Sequence, residues 1–313
     1  MTHPFLQLDV FAPAPLRGNP LAVVDHADDL DAATMQSIAC WLGLSETTFL
    51  LKPTAPEADY RVRIFTPGGD AKAPTLAADA ATLPPEGAQL ALGRPSGELP
   101  FAGHPTLGSC AAWLQQGGRP QRDGVVIQQC GVGLVEVRVA APAASGAKQL
   151  AFAAPPMREL PIDPPLLHNV AQALGLGLDD IQRSAWLDNG PRWFCLWLRS
   201  AARVLAVEPD HAALKRLGVN VGLAGPHVPG GDAAIEVRGF VSPLNVPEDP
   251  VTGSLNASLA QWLIGQGVLP AQYVAAQGAK LGRAGRVHIQ RDSAGQVWVG
   301  GEVQSRIKGT LNL

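Results

Sequence analysis

The sequence predicts an α+β fold made of two similar halves, each a strand-rich unit that holds helices. Three observations carry this. Period-two segments with β-branched and aromatic residues recur in both halves, as in YRVRIF from residue 60 and RWFCLWL from residue 192. Each half also has a Gly-rich turn feeding a helix start, GSCAAWLQQGG from residue 108 and GSLNASLAQWLIGQG from residue 253. The WLGLS of residues 41–45, at the end of an early helix, is echoed by LGLG at residues 174–177. Recurrence on this scale reads as an internal duplication.

Composition bounds the class of function. With 313 residues and 46% hydrophobic content the chain can bury a core in each of two domains. A net charge of −3, with both signs spread along the chain, leaves no Lys/Arg cluster to neutralise phosphates, which argues against nucleic acid and for a small-molecule partner. No apolar run reaches the roughly 20 residues that span a bilayer, and MTHPFLQLDVF lacks the basic flank and apolar core of a signal peptide. The expected location is cytoplasmic, away from membranes. Cys40, Cys110, Cys130 and Cys195 show neither CxxC nor Cys/His ligand spacing, so reduced, mostly buried thiols are expected and no metal site.

The elements follow in order. Residues 6–11 alternate as a strand, and the Gly-Asn-Pro turn at 18–20 enters a second one reaching residue 24. Asp31 caps a helix with Met35, Ile38, Ala39 and Leu42 at i, i+3, i+4 and i+7, and Gly43 stops it. Strands follow at 45–52 and 60–67. Residues 68–97, rich in Gly, Ala, Pro and Asp, interrupt the pattern; 75–83 suit one or two helical turns and the rest reads as irregular surface loop, mobile flap or dimer contact. ELPFAGHPTLGS, residues 98–109, then gathers turn formers, a histidine and a helix start, with Thr106 or Ser109 as cap. That helix carries Leu107, Cys110, Ala111 and Leu114 on one stripe and stops at Gly117-Gly118.

Strands at 124–129 and 133–140 lead to APAASGAK, the best linker, which divides the chain into domains 1–145 and 146–313. Leu167, Val170, Ala171 and Leu174 form the next helical stripe, strands occupy 192–198 and 233–240, and a helix from Gly253 places Leu255, Leu259, Trp262 and Leu263 on one face. RVHIQRD and VWVGGEVQ close the sheet, and the last strand is expected to pair back with the N-terminal domain.

Two such halves would meet at a cleft, His104 coming from one loop and helix start and Asp249 to Ser254 from the other. Backbone N–H groups at both helix starts suit an anion such as a carboxylate, and polarising a carboxylate acidifies a neighbouring C–H. Proton abstraction then needs a base. Glu46, just after the first helix, is the candidate, and its counterpart after LGLG is the apolar Leu178. Each residue also has a plainer reading: Glu46 as a solvated carboxylate, His104 as a turn histidine bonded to backbone, Asp249 as a turn initiator before Pro250, and Asp249 or Thr252 as a helix cap. Gly131-x-Gly133 has no third glycine and no βαβ context, so it does not read as a dinucleotide loop.

Taken together, GNPLAVV, LSETTFL, RIFTP, ELPFAGHPTLG, EDPVTGS and the closing QGAKLGRAGRVHIQ with VWVGGEVQSRIKGTL resemble, in order, the blocks of the PhzF-like family of phenazine-biosynthesis isomerases. The resemblance spans nearly the whole chain and implies a diaminopimelate epimerase-like fold, two pseudo-symmetric domains each a curled, mostly antiparallel sheet around a central helix. It implies a homodimer, no cofactor, and a proton-shuttling isomerase acting on a small carboxylate-bearing substrate. Glu46 matches the catalytic glutamate that takes a proton from one carbon and returns it at another. His104 and Asp249 match residues that orient the substrate and assist transfer, Ser254 another polar site position, and Gly103 and Gly253 glycines whose backbone contacts ligand. The related epimerases use two cysteines as bases, and neither FAGHPT nor EDPVTGS contains one. An epimerase or racemase of a small acid, or a non-catalytic scaffold that keeps the cleft, are the alternatives. The segment 68–97 departs from the family pattern, and shaping the rim of the site or the dimer contact is its expected role.

Overall fold

The computed structural model describes residues 1–68, 97–140 and 147–313. The helical turns expected at 75–83, most of the 68–97 segment and the linker around residue 145 lie outside the described residues. The chain forms two compact units, neither a continuous half: one comprises Met1–Val10, Pro20–Phe152 and Glu302–Leu313, the other Phe11–Asn19 and Ala153–Gly301. Among the described residues no helix is long and apolar enough to cross a membrane.

The first unit contains β1 (Thr2–Val10), β2 (Asn19–Val24), α1 (Ala32–Leu42), β3 (Thr47–Leu51), β4 (Tyr60–Phe65), β5 (Glu98–Leu99), α2 (Gly103–Gln115), β6 (Val125–Cys130), β7 (Gly133–Val139) and β8 (Lys148–Ala153). Asp31 caps α1 through a bond from Thr34 N of 2.8 Å, and Gly43 closes it in the left-handed region at φ 66°. Met35, Ile38 and Ala39 pack with Val24, Phe49 and Phe65. Helix α2 is buried from Gly103 through Ala112, with His104, Thr106 and Ser109 enclosed among its small and apolar residues.

The second unit contains β9 (Arg158–Leu160), α3 (Pro164–Ala173), β10 (Ile181–Asp188), β11 (Arg192–Leu198), α4 (Ala201–Leu205), α5 (His211–Leu217), β12 (Val221–Pro226), β13 (Ile235–Val241), β14 (Val246–Asp249), α6 (Gly253–Gly265), β15 (Gln272–Gln277), β16 (Gly285–Arg291) and the start of β17 (Val297–Asn312). The last residues of β17 belong to the first unit, pairing antiparallel with β1 from Thr2↔Asn312 to Val10↔Val303. Leu255, Leu259, Trp262 and Leu263 of α6 are all buried.

Strand pairing shows the duplication directly. In the first unit β2 runs parallel to β3, β3 antiparallel to β4, β4 antiparallel to β5 and parallel to β6, and β6 antiparallel to β7. In the second unit β11, β12, β13, β14, β15 and β16 repeat these relations in the same order. The 13-residue helices α2 and α6 occupy the same place in each series.

This connectivity corrects one expectation. The helix between the parallel pair is α1 in the first unit and α4 with α5 in the second, so α3 is not the partner of α1. The residue before β12, and hence the counterpart of Glu46 before β3, is Asn220; Leu178 sits in an exposed 3-10 turn ahead of β10. The echo misled because a helix ending in left-handed glycine recurs at Gly43, Gly175 and Gly218 alike, so it marks a stop and not a position.

Gly131 sits in the β6–β7 hairpin, where a Cβ would lie 2.6 Å from Pro100 Cα and 3.0 Å from Pro100 O. That close approach seats the chain leading into α2. Gly131→Ala must displace backbone and is expected to destabilise the protein by about 1–3 kcal/mol in urea denaturation; a change below about 0.5 kcal/mol would show that the contact is not tight.

Candidate active site

In the first unit, α2 begins at Gly103 after Ala102, which offers no side-chain cap. Thr106 and Ser109 therefore do not cap the helix: both lie inside it, Thr106 Oγ1 donating to Ala102 O at 2.9 Å and Ser109 Oγ to Thr48 Oγ1 at 3.0 Å. Gln128 Nε2 donates to Thr106 Oγ1 (3.0 Å) and Tyr60 OH to Gln128 Oε1 (2.9 Å), so a buried chain of polar groups fixes the first turn from β4 and β6. Arg63 grips Glu98 with two bonds of 2.7 Å and holds β5, which feeds the turn.

His104 and Glu46 meet here, Nε2 lying 3.4 Å from Oε2. Their side chains are 2% and 13% exposed, so Glu46 is not the solvated surface carboxylate that its residue type suggests. Burial pushes the His104 imidazole down to about 3, leaving it neutral at neutral pH. A neutral imidazole beside a carboxylate can offer one N–H without carrying charge.

In the second unit the arrangement centres on Asp249, the last residue of β14 and 4% exposed. Its Oδ1 accepts from Asn19 Nδ2 at 2.7 Å and its Oδ2 from Thr252 Oγ1 at 2.6 Å. Thr252 occupies the N-cap position of α6 yet makes no side-chain cap, because its hydroxyl is committed to Asp249. Gln277 on β15 braces the loop, donating to Asp249 O (3.1 Å) and Thr252 Oγ1 (2.8 Å) and accepting from Thr252 N (3.0 Å) and Asn256 Nδ2 (2.9 Å). A Cβ on Gly239 would lie 2.9 Å from Thr252 Oγ1, so only glycine lets β13 back the loop this closely. Burial pushes the Asp249 carboxyl up to about 6 against the bonds from Thr252 and Asn19, which pull it down.

Gly253 and Ser254 open α6, both buried, and Asn189 Nδ2 donates to Ser254 O at 2.9 Å. Glu46, His104 and Gly103 thus form one group in the first unit, and Asp249, Gly253 and Ser254 another in the second. Glu46, His104 and Asp249 are also residue types that ligate divalent cations. Sequence reasoning missed Asn19, Gln277, Asn189 and Asn220. Asn19 stood in the Gly-Asn-Pro turn and was legible as turn former only; Gln277 carried no local signal. Burial pushes the thiols of Cys110 and Cys195 well up, so neither supplies a thiolate base.

This is the architecture of the diaminopimelate epimerase-like proteins: two units of common connectivity, each with a buried helix whose start carries the polar residues. The chain matches the PhzC-PhzF family, described as phenazine biosynthesis-like protein, over residues 8–74 and 90–309, and it belongs to that family. The match leaves out residues 75–89, inside the segment that departs from the family pattern. The chain is 33% identical to Antisense-enhancing sequence 1 of Schizosaccharomyces pombe, covering 98% of both, and 31% identical to a trans-2,3-dihydro-3-hydroxyanthranilate isomerase of Pseudomonas aeruginosa, covering 94% of this chain and 92% of that one. A PhzF-family phenazine biosynthesis protein from Bacillus anthracis shares the fold with a TM-score of 0.76 at 18% identity, covering all of both chains.

The two shifted groups act on stability with opposite sign. His104 is held below its unfolded value of 6.5, so the stability that its neutral form contributes is present above that pH and is lost as pH falls toward 3, amounting to about 2 kcal/mol by pH 5. Asp249 is held above its unfolded value of 3.8, so its contribution grows as pH falls from 6 to 3.8. Urea denaturation between about pH 5 and pH 7 should show His104→Asn losing less stability than wild type on acidification and Asp249→Asn losing more. Parallel curves for all three proteins would contradict the assigned shifts.

Proposed function

We propose that the protein is a cofactor-independent isomerase that moves a proton on a small carboxylate-bearing substrate, with Glu46 as the acid/base. The observation that carries this is the Glu46 carboxylate, nearly buried and 3.4 Å from a histidine that burial keeps neutral, at the start of a helix without a side-chain cap. A carboxylate so placed can take a proton from one carbon and hold it for return to another. The naming of a 31% identical relative as an isomerase of trans-2,3-dihydro-3-hydroxyanthranilate, itself a small carboxylate, supports the same class of reaction.

In this reading N–H groups at the starts of α2 and α6, those of Gly103, Gly253 and Ser254, bind the carboxylate, where partial positive charge favours it. Glu46 accepts a proton from one carbon, the electron pair delocalises into the adjoining unsaturated system, and the protonated Glu46 returns the proton to a second carbon. No electron is gained or lost overall. His104 donates its N–H to an oxygen or nitrogen of the substrate, and Asp249, poised near pH 6, orients the substrate and assists transfer. Asn220, at the position equivalent to Glu46, cannot titrate, which favours a single base over the paired bases of an epimerase. The same reading takes the protein as a cytoplasmic homodimer.

The test is deuterium uptake in D2O from trans-2,3-dihydro-3-hydroxyanthranilate and from a panel of small unsaturated carboxylates. Wild type should exchange one carbon-bound hydrogen and Glu46→Gln should do so about 10²–10⁴-fold more slowly. Equal rates would remove Glu46 from the role of base, and tight binding with no exchange would move the protein to a scaffold role.

A further inference from the structure

Asn189 lies in the Asp-Asn-Gly-Pro turn between β10 and β11 and is 3% exposed. Its amide is oriented unambiguously: Nδ2 donates to Ser254 O at 2.9 Å, and a carbonyl oxygen can be met only by the nitrogen end. The other end, Oδ1, is fully buried and accepts no bond from the described residues. A buried acceptor left without a donor costs roughly 1–3 kcal/mol, so a donor from outside the chain, water or ligand, gains by meeting it. The oxygen shares its carbon with a nitrogen bonded to the second residue of α6, which places it at the start of that helix.

A second amide from another loop shows the same feature. Asn220 precedes β12, and its Oδ1 is also buried without a partner among the described residues. In the β11–β12 register Phe194 pairs with Val221, and both pack into the cluster formed with α3 and α5. Asn220, one residue earlier, lies on the opposite face of the strand, the face on which a Cβ at Gly222 would meet Leu255 of α6. Two carbonyl oxygens therefore stand on the α6 side of the sheet with no donor among the described residues, one of them on an amide bonded to the second residue of α6.

We propose that Asn189 is a substrate-contacting residue that accepts a hydrogen bond from an amino or hydroxyl group carried beside the substrate carboxylate, and so selects such substrates over carboxylates that lack a donor. Asn220 offers the second acceptor on the same side. The proposal rests on the carboxylate-binding reading above and extends it to the substituent next to the carboxylate.

Anthranilate and 2-methylbenzoate test this, because they share a ring and a carboxylate and differ in an ortho group of similar size that does or does not donate. Titration calorimetry on the full-length protein should show anthranilate binding at least about fivefold more tightly. In Asn189→Ala the two affinities should come within about twofold, chiefly through weaker anthranilate binding, whereas Asn189→Gln, which keeps both the nitrogen donor and an acceptor, should retain part of the preference. Wild-type protein that binds both ligands equally overturns this proposal while leaving the carboxylate reading intact, and needs no variant to do so. Asn189→Ala weakening both ligands by the same factor also overturns it, since a purely structural role for the bond to Ser254 would do that. Wild-type protein that binds neither ligand overturns the carboxylate reading and this proposal together.

Discussion

Both central helices begin inside the protein without a side-chain cap, and much of the rest follows from that. Ala102 has no side-chain oxygen to offer α2, and Thr252, which has one, gives its proton to Asp249 instead of accepting from α6. Helix starts with N–H groups left over are costly to bury, and packing α2 and α6 on all sides offsets the cost. The polar groups around each start are held by other polar groups of the protein. Tyr60, Gln128 and Thr106 do this in one unit; Gln277, Thr252, Asn19 and Asn256 do it in the other. The protonation states of His104 and Asp249 are a consequence of the same exclusion of water.

The two units share connectivity but not chemistry. Where the first unit has Glu46 before the parallel strand and His104 as second residue of the helix, the second has Asn220 and Ser254. One unit thus carries a titratable pair and the other two neutral side chains, while Asp249, at the end of β14, adds a carboxyl at the loop before α6. A duplicated scaffold in this way carries a titratable pair at one helix start and mainly fixed hydrogen-bonding groups at the other. Asn189 extends that set with a buried acceptor that meets no donor among the described residues.

Much of the fold was legible because its elements carry local signals. Asp31 and Gly43 bound α1, RWFCLWL is β11 residue for residue, and the apolar face of α6 is buried as its spacing required. The buried helix starts were legible from the clustering of Gly, Pro, His and Asp in two turns. The α4, α5 and β12 region between residues 201 and 226 carried short, weakly periodic segments and was not legible, and its absence from the reading led to Leu178 being paired with Glu46. Asn19, Gln277 and Asn189 were hidden for another reason: an amide's role lies in partners far along the chain, as in the bond from Asn19 to Asp249, and no local pattern encodes it. The family resemblance supplied the roles of Glu46, His104 and Asp249 where spacing alone left surface, turn and cap readings open.

The most direct measurement is the titration of the His104 ring by heteronuclear NMR, with its signals assigned by comparison with His104→Asn. With His104 withdrawn from water, its ring nitrogens should show the shifts of a neutral imidazole and should not titrate between about pH 5 and pH 8. A ring that titrates near its ordinary 6.5 would show that His104 is hydrated or charged beside Glu46, and would contradict the account at its foundation.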